Sequence, residues 1–213
     1  MKSKLFLGVV IFFISISVLS CSPGGTSSIS LRYKPLKDFP SLQERVGTTL
    51  GIVSLKDERS YTLIGQHTKI FGVSNYFISH PLPLEKAINE SLTQTLSRYG
   101  VKTVSIPNWD MKPESLKNIE ADSVLTVEIK KFWTEGKGSL FGTKVKTSIH
   151  VLIHLGVKKE RKVFTRKVEV EKEMTVTRLT PEKVEHLINQ TLTEIFDSFF
   201  SDPFKTTPTM STT

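Results

Sequence analysis

Apolar positions along the chain fall into three patterns, and each predicts a different element. The first is a block: from Leu5 to Leu19 the residues are apolar except for Gly8, Ser15 and Ser17. The second has helical spacing. Leu84, Ile88, Leu92, Leu96 and Tyr99 recur at steps of four and three, which predicts a helix over 83–99 stopped by Gly100. A stronger stripe of Val184, Leu187, Ile188, Leu192, Ile195, Phe196 and Phe199 follows Thr180 as N-cap, Pro181 at the first helical position and Glu182 in the first turn, and Pro203 stops it. The third pattern is alternation. Leu125, Val127 and Ile129, then Val145, Thr147, Ile149, Val151, Ile153 and Leu155, predict half-buried antiparallel strands. Phe164, Val168 and Val170 belong to a returning strand after the polar turn 158–161, so a three-stranded meander is expected. Its first connection, 135–142, holds three glycines and reads as a wide hairpin loop.

Weaker signals fill the rest. Residues 48–55 are β-rich ahead of the polar turn 56–60, residues 30–33 read as a short strand, and 61–80 reads as strand fragments and loop. A strand over 101–106 closes at Pro107, and 113–120 reads as a helical turn. Together these predict an α+β fold, a mostly antiparallel sheet with two amphipathic helices packed on one face in two layers. The single domain spans 29–203, and the Thr-rich segment 204–213 is expected to be a disordered tail.

The opening block locates the protein. Lys2 and Lys4 precede it and Ser20-Cys21 ends it, the layout of a signal peptide. At fifteen residues it falls short of the ~20 that a spanning helix requires. The ending resembles the bacterial lipoprotein signal, or lipobox. That resemblance implies cleavage after residue 20, a diacylglycerol on Cys21 and an acylated amine (palmitate), hence attachment to membrane. The competing reading is an ordinary signal peptide cut elsewhere, with Cys21 a free thiol. Residues 22–28 contain only Ser, Pro, Gly and Thr and read, with Cys21, as a flexible tether over 21–28. Ser22 occupies the position where such lipoproteins carry an inner-membrane retention Asp. The expected address is therefore the outer membrane, facing the periplasm.

Composition narrows the chemistry. The chain has 213 residues, 38% hydrophobic and 23% charged, enough for one core, and its single Cys excludes a disulfide framework or a multi-thiolate zinc site. The net charge of +8 admits nucleic acid, anionic lipid or an acidic partner, and export removes nucleic acid from contact. Twelve Lys and Arg against four Glu lie between Lys130 and Lys172. Lys130, Lys131, Lys137, Lys144, Lys146, Arg166 and Lys167 are thus the candidate surface for anionic lipid, lipid A phosphates or an acidic envelope protein, with Phe132 and Trp133 beside them. The competing reading is a solvated sheet face whose lysines deter edge pairing.

The succession of lipobox Cys, early strand ending in Asp57-Glu58-Arg59, helix closing in Arg98-Tyr99-Gly100-Val101, strand to Trp133, long hairpin and terminal helix ending in Phe199-Phe200-Ser201-Asp202-Pro203 resembles the YajG-like family of bacterial lipoproteins. The resemblance implies a fold and an address, and brings no catalytic motif. No phosphate loop, nucleophile elbow or His-Glu-x-x-His occurs, and no cofactor, metal ligand set or catalytic residue is assigned. His150 and His154 would sit roughly 13 Å apart on the outer strand face, too far for one metal, and read as solvated. Asp57 and Arg59 read as an Asx turn with a salt bridge rather than a catalytic pair. The expected function is a non-catalytic accessory or interaction lipoprotein of the envelope. The alternative is an auxiliary lipoprotein of lipopolysaccharide assembly or ABC transport. An enzyme would require a pocket built on Asp57, Arg59 and a His.

Overall fold

One long strand organises the molecule. In the computed structural model, which describes residues 24–204, the elements run β1 (Thr26–Ile29), α1 (Leu42–Val46), β2 (Thr49–Val53), β3 (Lys56–Asp57), β4 (Gly65–Thr68), β5 (Ser74–Ser79), α2 (Leu84–Arg98), β6 (Lys102–Ile106), a 3-10 turn (Pro113–Asn118), β7 (Ser123–Ser139), β8 (Gly142–Val157), β9 (Lys162–Val176) and α3 (Pro181–Ser201). One edge of β7 pairs antiparallel with β8, which pairs antiparallel with β9. Its other edge takes β2, β3 and β4 in turn, all parallel. β6 lies outside β2, β5 outside β4 and β1 outside β5, giving one mixed nine-stranded sheet.

The fold is α+β as expected, and the long meander keeps most paired residues antiparallel. Five of the eight strand pairings are nevertheless parallel. Alternation in a short strand reports which face is buried and carries no information about the direction of the partner.

Both predicted helices form, and their apolar stripes join α1 and the sheet in one core. Leu92 and Leu96 of α2 and Ile188, Leu192 and Phe196 of α3 lie with Leu50, Leu125, Val127, Ile129, Phe132, Ile149 and Ile153. A smaller cluster on the opposite face packs Trp109, Leu116 and Ile119 on Val53 and Val124, so the second face is partly covered. The register of β7 and β8 shifts between Ile129 and Lys131. This bulge moves the core-facing set from odd to even positions, so that Phe132 and Thr134 turn inward and are fully buried. Phe132 is therefore core, not an aromatic flanking a binding surface. Trp133 packs edge-on against Tyr61, centroids 5.4 Å apart.

Four boundaries differ from expectation. Residues 135–142 are not a wide loop, because β7 and β8 pair out to Ser139 and Gly142 and leave only Leu140 and Phe141 between them. The glycines are there for close approach: a Cβ on Gly136 would meet Leu179 at 2.8 Å, and one on Gly138 would meet Ile70 N and Thr68 O at 3.2 Å. The first strand is β1 rather than 30–33, which takes residues 26–28 out of the tether. Residues 30–33 instead run between α2 and α3, held by side chains: Ser30 N donates to Glu185 Oε2 (3.0 Å), Arg32 N to Asn189 Oδ1 (2.8 Å) and Tyr33 N to Ser91 Oγ. Phe204 packs on Phe164, centroids 4.9 Å apart, so the domain includes a residue expected in the tail. The signal peptide 1–20, Cys21 and the tail from 205 lie outside the described residues.

Candidate functional site

The seven candidate cations do not form one positive surface. Carboxylates from inside the basic segment, Glu135, Glu169 and Glu171, and from outside it, Glu58, Glu128 and Glu173, lie among them. Lys130 Nζ lies 2.5 Å from Glu58 Oε2 and 2.6 Å from Glu128 Oε2. Lys144 meets Glu173 at 2.8 Å, Lys146 meets Glu171 at 2.7 Å, Lys131 reaches Glu171 at 3.8 Å, Lys167 meets Glu169 at 2.7 Å and Lys137 meets Glu135 at 3.1 Å. Lys144 and Lys146 reach their partners diagonally across the β8–β9 ladder, a spacing that long side chains span easily. Hydrogen bonds from Lys146 and Ser148 hold the Glu171 carboxyl down to about 2, and those from Lys130 and Lys56 do the same for Glu58. Charges of both signs interleave across this face.

Arg166 is not on that face at all. Its guanidinium bonds Ser198 O at 2.9 Å and Ser198 Oγ at 2.7 Å, while Arg45 Nη1 bonds Ser201 O at 2.9 Å. The last turn of α3 has no basic residue of its own. Two arginines from other elements supply the cations that a helix C-terminus favours and satisfy its orphan carbonyls.

Asp57 and Arg59 make the Asx turn and salt bridge expected of them. Arg59 N donates to Asp57 Oδ1 at 3.1 Å, and Nη2 lies 2.6 Å from Oδ2. Nη1 also bonds Leu63 O and Phe132 O, both at 3.0 Å, with the guanidinium over the rings of Tyr61 and Phe132. With its side chain 1% exposed, Arg59 ties the β3–β4 connection to β7. His150 is half-buried and 3.5 Å from Glu169. His154, expected to be solvated, is buried on the partly covered second face, between its cross-strand neighbours Thr126 and Thr165, and its Nδ1 lies 2.8 Å from Thr165 Oγ1. Burial lowers its pKa. Among the described residues no group of three or more His, Cys, Asp or Glu is placed to hold a metal.

Two features were not anticipated from the sequence. An open groove of about 440 Å³ between residues 30–34 and α2 is lined by Arg32, Lys34, His80, Glu90, Gln94 and Arg98. The other lies at one end of the sheet, where Ile70, Phe71, Leu140 and Phe141 stand exposed by 49, 92, 83 and 95%. They occupy the β4–β5 and β7–β8 turns, which are adjacent because β4 and β7 pair in parallel with Thr68 opposite Lys137. β1 starts at the same end: Gly25 N donates to Asn75 Oδ1 at 3.0 Å, and Gly25 O accepts from Tyr76 N at 2.9 Å. The available signal was a pair of bulky apolar residues in each of two turns, where turn chemistry favours Gly, Asn and Asp.

No protein-family model and no curated protein matches the chain. Among solved structures, protein XCC0632 from Xanthomonas campestris, of the family DUF330, is 14% identical over 84% of this chain and 94% of its own, with a TM-score of 0.54. A putative neuraminyllactose-binding hemagglutinin homolog from Helicobacter pylori is 11% identical over 83% of this chain and 89% of its own, with a TM-score of 0.41. The lipoprotein GNA1162 from Neisseria meningitidis is 12% identical over 70% and 98%, with a TM-score of 0.38. The likeness to the Xanthomonas protein establishes that the two chains share a fold, and at that identity it speaks to the fold alone.

Proposed function

We propose that the protein is a lipid-anchored lipoprotein of the bacterial envelope, held by Cys21 in the outer membrane with its domain on the periplasmic side and serving as a non-catalytic interaction module. The observation that carries this reading is how soon after Cys21 in the sequence the fold begins. Gly25 is already bonded to β5, and the three residue steps from Cys21 to Gly24 span at most about 11 Å. An acyl chain on Cys21 therefore holds the domain against the membrane surface. Further support comes from the resemblance to the YajG-like lipoproteins and from the structural use of Asp57, Arg59 and His154. Among the described residues no helix is long and apolar enough to cross a membrane, so the acylated Cys21 is the anchor in this reading.

The test is metabolic labelling with a clickable fatty acid, combined with membrane fractionation of the parent and of Cys21→Ser. The parent is expected to be labelled and to pellet with outer membranes, and the variant to lose the label. A parent without label, or a Cys21→Ser protein labelled as strongly as the parent, overturns the proposal.

A further inference from the structure

We infer that the exposed sheet end is a membrane-insertion edge: Ile70, Phe71, Leu140 and Phe141 enter the headgroup region of the leaflet that holds the anchor, and so fix the domain's orientation on the bilayer. The inference rests on the proposed acylation of Cys21. Neither turn geometry nor core packing accounts for these four residues. A two-residue hairpin loop favours Asn, Gly or Asp, and here it holds Leu140 and Phe141, almost wholly exposed. The β4–β5 turn closes with Gly72 N on Lys69 O and Lys69 N on Val73 O, both 2.9 Å, and places Ile70 and Phe71 outward. Contiguous exposed apolar side chains mark a surface that something else covers.

Two observations favour a bilayer over a protein partner or a second copy. The first is where the chain starts: β1 pairs in parallel with β5, Thr26 opposite Tyr76, so Gly24 lies beside the β4–β5 turn. An acyl chain within about 11 Å of that point draws the tips and the membrane together. The second is the chemistry around the tips. Lys69 lies in the turn itself, at the level of anionic headgroups when the apolar tips are immersed, and just behind it stand Lys137 and Lys144, each paired with a carboxylate, Glu135 and Glu173, so the rim of the tips is polar and carries a net positive charge. The β8–β9 turn at 158–161 is at the other end of β8, roughly 50 Å away at ~3.3 Å per residue. It faces away from the bilayer, and Phe204 packs on Phe164 near that end.

The experiment places an environment-sensitive NBD probe on Phe141→Cys, and separately on Lys159→Cys, in the full-length lipidated protein. Each is reconstituted in phosphatidylethanolamine and phosphatidylglycerol vesicles with or without doxyl-labelled lipid. A blue-shifted, doxyl-quenched probe at position 141 and a water-like, unquenched probe at 159 are expected. Identical spectra at the two positions overturn the inference, as does shielding of the 141 probe by rising protein concentration without vesicles, which assigns the tips to a second copy.

A second measurement separates the tips from the anchor. Mature Cys21→Ser protein, residues 21–213, is compared on the same vesicles with a variant that also carries Ile70→Ser, Phe71→Ser, Leu140→Ser and Phe141→Ser. Vesicle partition should fall roughly tenfold or more, and the parent's partition should survive 1 M salt, since apolar burial is not screened. Equal partition of the two proteins overturns the inference. Tip-dependent partition without fatty-acid labelling of Cys21 supports the insertion edge and removes only the anchor. Matching circular dichroism and urea melts show that the replacements leave the fold intact.

Discussion

Arg59 joins the β3–β4 connection to β7 through one side chain. Its guanidinium answers a carboxylate and two carbonyls inside a nearly dry site. Removing one partner of a buried ion pair leaves the other charge uncompensated, so Arg59→Ala should cost about 3 to 5 kcal/mol in urea unfolding. Arg59→Lys should recover only part of that loss, because an ammonium cannot reproduce the bidentate fork. The exposed pairs behave differently and reveal themselves through pH. Glu58 and Glu171 have folded-state pKa values near 2 against an ordinary value of 4.5. Their contribution is complete above about pH 4.5 and disappears as pH falls toward 2. Melting temperature should drop across that window, and a Glu58→Gln, Glu171→Gln double variant should start lower at pH 7, show a shallower drop and meet the parent near pH 2.

Among the elements, β7 and α3 carry the fold. The stripe of α3 was legible because it has the period, the N-terminal Thr-Pro-Glu signal and the Pro stop together, and each of its apolar members is buried. Leu192→Ala should lower stability by about 2 to 5 kcal/mol, read from thermal melts. β7 was legible only to the bulge. Leu125, Val127 and Ile129 announce one face, and then the parity changes at Lys130, which sequence alternation cannot foresee because the cause is the pairing with β8. Deleting Lys130 removes the extra residue and restores plain alternation, with Phe132 and Thr134 still opposite Ile149 and Thr147 and still inward. A cooperative melt is expected from that deletion, and Lys130→Ala should likewise fold and lose only the contacts to Glu58 and Glu128. The glycines of 135–142 misled for a related reason: they mark close approach within strands rather than a loop. The hairpin's charge misled because Glu128 and Glu173 lie just beyond the ends of the basic segment, and Glu58 and Glu173 reach their lysines only after the sheet has formed.

The whole molecule has two unlike ends. One carries the start of β1 and the apolar turns. The other carries the basic β8–β9 turn, where Lys158 Nζ donates to Ile119 O at 2.8 Å and Lys159, Arg161 and Lys162 lie close by. If the apolar end sits on the bilayer, the basic end is the part presented to the periplasm, and a soluble acidic partner would meet it first. Replacing Lys159, Arg161 and Lys162 by Gln should leave membrane attachment unchanged and reduce crosslinking to any such partner in native membranes. Unchanged crosslinking would remove this turn from consideration.

The way β7 gathers its neighbours also sets an order of assembly. β7, β8 and β9 are consecutive hairpin partners, but β2 finds β7 across the interval from Leu50 to Ser123, and β4 finds it across the interval from Gly65 to Thr134. Contacts between near neighbours form quickly, while those that close long loops wait. A chain threaded across a membrane from its N-terminus delivers β1 to β6 first, before the strand they dock on has emerged. If the chain is exported as proposed, its early half stays unfolded on the way, with its sheet edges open to other chains until β7 arrives. A fragment of residues 24–106 should show no cooperative unfolding transition by circular dichroism, and folding of the full chain should begin only after residue 157 has been released.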